Sequence, residues 1–151
     1  MKTLQLALLA CLTVSLSPAL LHSQVEPADR AAPLEEFVQR VARLWSTGEV
    51  AELVEMIPEG DRFLLDTGDG IETANTRHAA AALRALFSQK ETLRASPVRV
   101  TVSSAEPVSG FGEISWTYRI RGAPGEELRS VYVGARWEDE DWRIAELRIM
   151  P

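Results

Sequence analysis

Two periods of apolar residues divide this chain. Phe37, Val38, Val41, Leu44 and Trp45 recur at helical spacing and make one apolar face. Pro33 followed by Glu35 and Glu36 suits the start of that helix, with proline in the first turn and acids near the positive dipole end. Ser46, Thr47, Gly48 and Glu49 interrupt the pattern. Val50, Leu53, Val54 and Ile57 then predict a second, short helix ended by Pro58. Residues 62–67 (RFLLDT) read as a strand, and Gly68-Asp69-Gly70 as a turn. Asn75 or Thr76 can cap a third helix whose buried stripe is Ala79, Ala82, Leu83, Leu86 and Phe87.

Beyond this helix the period falls to two. Val98, Val100 and Val102 alternate with polar residues, as do Ile114, Trp116, Tyr118 and Ile120, and then Val131, Val133, Ala135 and Trp137. In the last strand Trp142 and Ile144 hold even positions, whereas Leu147 and Ile149 hold odd ones. That change of parity predicts a bulge near Ala145 and Glu146. Helices first and a meander of strands afterwards predict an α+β fold, with the helices on one face of an antiparallel sheet.

The N-terminus follows different rules. Lys2 precedes a Leu/Ala-rich, uncharged run through Leu21, which turns polar at His22, Ser23 and Gln24. This pattern predicts a signal peptide over residues 1–23, a flexible leader over 24–33 and a domain over 34–151, placing the product in the secreted or periplasmic space. Leu8-Leu9-Ala10-Cys11 offers the alternative of a lipoprotein anchored at Cys11. Cleavage after residue 23 removes the chain's one cysteine, and with it disulfide, thiolate and cysteine-metal chemistry. The net charge of −6 lacks the basic face that phosphate neutralisation needs, so no nucleic-acid partner is expected. No membrane association is expected once the signal is cleaved.

Three stretches carry a family resemblance: residues 44–53 (LWSTGEVAEL), residues 70–87 ending in HAAAALRALF, and residues 130–149 (SVYVGARWEDEDWRIAELRI). In order and spacing they resemble the nuclear transport factor 2-like superfamily, which includes polyketide-cyclase-like (SnoaL-like) and ketosteroid-isomerase-like groups. The resemblance covers about residues 34–150. It implies a cystatin-like cone, in which a curved antiparallel sheet carries three N-terminal helices on its concave face around an apolar pocket. Its convex face often forms dimers. By the same resemblance the pocket would lie among Trp45, Phe87, Trp116 and Tyr118. An aromatic set of this kind suits an apolar ligand with one polar handle, and equally suits plain packing or a dimer interface.

The resemblance also puts Asp66 where the isomerase-like group has its general base. His78 and Tyr118 are the candidate acids beside it. The two positions matching the family's oxyanion hole align with Val41 and Val133, both apolar, so the electrophilic half of that site is missing. No histidine pair or metal-ligand spacing is present, Gly68-Asp69-Gly70 lacks the lysine of a phosphate loop, and Glu138 to Asp141 lack calcium-loop spacing. No metal or cofactor is implied. Three functions follow as alternatives. The leading one is an exported, non-enzymatic domain binding a small apolar molecule or a protein partner, as a homodimer. The second is a cofactor-independent isomerase, cyclase or lyase with Asp66 as base. The third is an assembly domain with a filled core.

Overall fold

The computed structural model describes residues 27–60, 63–103, 105 and 107–151. The signal peptide expected over residues 1–23, and with it Cys11, lies outside the described residues. A 3-10 turn at Pro27–Arg30 leads into α1 (Ala31–Thr47), then α2 (Val50–Glu55), β1 (Phe63–Asp66), β2 (Glu72–Ala74), α3 (Thr76–Gln89) and β3 (Lys90–Val102). The chain ends in β4 (Ser109–Ile120), β5 (Glu127–Glu138) and β6 (Asp141–Met150). Regular structure thus begins inside the expected leader, and α1 starts two positions before Pro33.

The fold is α+β, with one curved, unclosed sheet in the order β2-β1-β6-β5-β4-β3. Four long strands form the antiparallel meander that the two-residue period predicts. The sheet is mixed rather than wholly antiparallel, because β1 runs parallel to β6. A parallel neighbour needs a long crossover, and here the whole of α3 and the meander supply it. β2 pairs antiparallel with β1 and has three residues, too few to show a period.

Asn75 caps α3, its Oδ1 accepting the His78 N–H at 2.8 Å. β3 differs from the expectation. It begins at Lys90, directly after α3, and two register shifts interrupt it, one between Thr92 and Arg94 and one between Pro97 and Arg99. The second leaves Val98 62% exposed, so the expected Val98, Val100, Val102 face is broken at its first member. As an edge strand paired only with β4, β3 tolerates Pro97 and needs no apolar alternation. The bulge in β6 falls where the parity change places it: Gly134 pairs with Glu146 and Ala135 with Ile144, leaving Ala145 over.

α1 crosses the sheet face at close range. A Cβ at Gly110 would lie 2.4 Å from Leu34 Cδ2, and one at Gly112 would lie 2.5 Å from both Val38 γ-carbons. Missing side chains on β4 therefore let the helix down onto the sheet. Between them lies the core, led by Trp45, Trp116, Trp142, Phe63 and Leu53. Val41 and Val133 are both fully buried in it.

Candidate functional site

Helix α1 and the inner face of β4 bring an aromatic stack together. Trp45 meets Phe87 edge-on at 5.1 Å and Trp116 edge-on at 5.5 Å, and Trp116 stacks on Tyr118 at 4.2 Å. The four aromatic residues singled out in the sequence thus form one series of contacts, Phe87 to Trp45 to Trp116 to Tyr118. Trp45, Trp116 and Tyr118 are 1%, 0% and 2% exposed, so they fill the interior with one another. The Trp116 indole N–H donates to Thr92 Oγ1 at 2.9 Å. The Trp45 indole N–H is buried without an acceptor.

The stack ends at the surface in a cleft of 380 Å³, lined by Thr67, Gly68, Lys90, Tyr118, Glu127 and Arg129, with Ile120, Ile149 and Met150 also on its wall. The Lys90 ammonium lies 4.8 Å from the centre of the Tyr118 ring and 5.6 Å from that of Trp116, within cation–π range of both. The Tyr118 hydroxyl donates to Glu127 Oε2 at 2.6 Å, and the same oxygen lies 3.7 Å from an Arg129 guanidinium nitrogen. Burial raises the Tyr118 pKa above the ordinary phenol value, and the hydrogen bond to the Glu127 carboxylate raises it further. Thr67, Gly68 and Lys90 also border a second hollow of 400 Å³ beside α3. Lys90 and Glu127 are not among the candidate site residues that the sequence marks. Lys90 is the only lysine besides Lys2, which is a weak signal. Glu127 enters through the pairing of Tyr118 with Glu127 across β4 and β5.

Asp66 ends β1 in an Asx turn: its Oδ1 accepts the N–H groups of Gly68 at 2.8 Å and Gly70 at 3.2 Å. It thereby shapes the loop that borders both hollows. Strand register assigns its side. Asp66 pairs with Arg148, Arg148 with Tyr132, and Tyr132 with Glu113. That row alternates with Ile114, Trp116 and Tyr118, so Asp66 belongs to the convex face and Tyr118 to the concave one. His78 sits in the first turn of α3, about half exposed, with Nε2 3.0 Å from Glu72 Oε1. Among the described residues no hydrogen bond or ion pair joins any two of Asp66, His78 and Tyr118.

On the convex face, Phe111 stacks on Tyr132 at 5.6 Å, and the Arg148 guanidinium covers the Tyr132 ring at 5.0 Å. They adjoin a groove of 580 Å³ that Leu64 and Gly134 also line. Among the described residues no group of three or more His, Cys, Asp or Glu side chains could hold a metal ion. No described helix is long and apolar enough to cross a membrane.

No family model matches the sequence, and no curated protein matches it. Solved structures do resemble it. A DUF4783 family protein from Bacteroides fragilis superposes with a TM-score of 0.58 at 19% identity, over 72% of this chain and 92% of that one. A ketosteroid isomerase-like protein from Erwinia carotovora gives 0.60 at 10% identity, over 80% and 95%. A protein of ketosteroid isomerase-like fold from Catenulispora acidiphila, solved in complex with trimethylamine, gives 0.59 at 14% identity, over 77% and 85%. The domain accordingly has the nuclear transport factor 2-like fold, in the arrangement shared with ketosteroid isomerase-like proteins.

Proposed function

We propose that this domain is exported and works by binding rather than by catalysis, taking a small, largely apolar molecule with one polar handle in the Tyr118 cleft. The observation that carries this reading is the state of Tyr118. Its ring lies beneath the Lys90 ammonium and its hydroxyl is committed to Glu127, while Asp66 extends from the other face of the sheet. A proton-transfer pair needs base and acid within reach of one substrate atom, and this arrangement favours neither residue for that role. Ile120 and Met150, 41% and 43% exposed, offer apolar contact beside the charges of Lys90 and Arg129. The trimethylamine complex of a fold neighbour supports small-molecule binding on this scaffold.

Export rests on the signal pattern of residues 1–23. A homodimer through the convex face is the second reading, favoured by the Phe111–Tyr132 groove.

Native mass spectrometry of the protein recovered from the exported fraction of its own host tests the proposal. The expected spectrum shows a chain beginning near Gln24 with a bound small molecule, lost in a Lys90→Gln variant that still folds. Recovery of empty monomer alone would sink it.

A further inference from the structure

A separate cleft lies at the start of β6, about 30 Å along the strand from the Tyr118 site. It measures 470 Å³ and is walled by α1, the end of α2 and the first residues of β6. Its apolar floor is Phe37, Met56 and Trp142, all buried. Around them stand three arginines, Arg40, Arg43 and Arg143, and three acids, Glu36, Glu55 and Asp141. No ion pair or side-chain hydrogen bond joins any two of these six. Elsewhere on this sheet opposite charges do close on each other, as in Arg99–Glu113 at 2.9 Å and Arg119–Glu91 at 2.8 Å. Around the cleft they stand apart.

We infer that this cleft binds a small zwitterion with an apolar side chain, the chemistry of a free apolar amino acid. A bare anion would meet Glu36, Glu55 and Asp141 as well as the arginines, and a bare cation would meet the reverse. A molecule carrying both charges answers both sets, while its side chain covers Phe37 and Met56. The volume falls in the range of small-molecule sites. Asp141 is partly engaged, accepting the backbone N–H of Trp142 at 2.8 Å, so Glu36 and Glu55 carry the ammonium role. This site stands or falls independently of the Tyr118 cleft.

Calorimetric titration of the full chain with L-phenylalanine, N-acetyl-L-phenylalanine and L-phenylalanine amide tests the inference. The free amino acid binds saturably below about 10 mM, and blocking either its amine or its carboxylate weakens binding about tenfold or more. Arg43→Gln and Glu55→Gln each weaken it about tenfold, whereas Arg84→Gln, exposed on α3, leaves it unchanged. The Trp142 indole N–H resonance shifts on binding, a readout that requires a folded protein. Absence of saturable binding, equal binding of the N-acetyl derivative, or indifference to both variants would each overturn it.

Discussion

Tyr118 and Glu127 face each other across β4 and β5, the phenol donating to the carboxylate at 2.6 Å. The neutral phenol is the form this contact holds. Burial comes first among the causes that raise the Tyr118 pKa, and the Glu127 contact adds to it. Tyr132, the chain's other tyrosine, is also raised, by burial first and by the nearby Glu146 charge second. With folded values above the unfolded value near 10.0, the protonated phenols stabilise the fold fully below that pH. Their contribution is lost as pH rises through the folded values. Ultraviolet titration of the native protein should therefore show less phenolate at the ordinary tyrosine pH than the unfolded chain does, and Tyr118→Phe should flatten the alkaline loss of stability. A native tyrosine titrating at its ordinary value would contradict this account.

The approach of α1 to β4 gives a second expectation. Gly112→Ala places a methyl 2.5 Å from both Val38 γ-carbons, and neither helix nor strand can move freely. A loss of about 1–3 kcal/mol is expected, the usual cost of overpacking. Val38→Ala removes the clashing methyls, so the double variant should be less destabilised than the sum of the singles by at least about 0.5 kcal/mol. Urea denaturation of the four proteins measures this directly. Simple additivity would mean that the helix yields instead.

Asp66 offers a third test, because its two roles respond differently to amidation. An asparagine keeps the Oδ1 acceptor for Gly68 and Gly70 and should leave stability within about 0.5 kcal/mol of the original. An alanine removes it and should cost about 1 kcal/mol. Thermal denaturation of Asp66→Asn and Asp66→Ala ranks the two. If both lose equally, the negative charge is what matters and the turn is secondary.

Much of the fold was legible because burial follows local periodicity. The helical face of Phe37 to Trp45, the Asn75 cap and the bulge at Ala145 each leave a mark within a few residues. The first half of β3 left none. An edge strand exposed to water can carry Glu91, Arg94, Ser96 and Pro97 without penalty, so its sequence does not alternate. β2 was too short to register. At the candidate site, Trp45, Phe87, Trp116 and Tyr118 each lie on an apolar stripe, and the family resemblance is what grouped them. Lys90 and Glu127 could not be added to them, since their place beside Tyr118 depends on where β3 starts and how β4 meets β5.

By itself, the sequence determined most of the buried faces, the order of the elements apart from β2, and the α+β class, because side-chain period and hydrophobicity act along short stretches of chain. The tertiary structure decided the partners. Pairing of β1 with β6, brought together from opposite ends of the domain, put Asp66 on the face away from Tyr118. The same long-range closure set unpaired arginines and acids around Phe37, Met56 and Trp142. Neither outcome is encoded in a local period, because contacts between distant segments are selected by the burial and hydrogen bonding of the whole sheet.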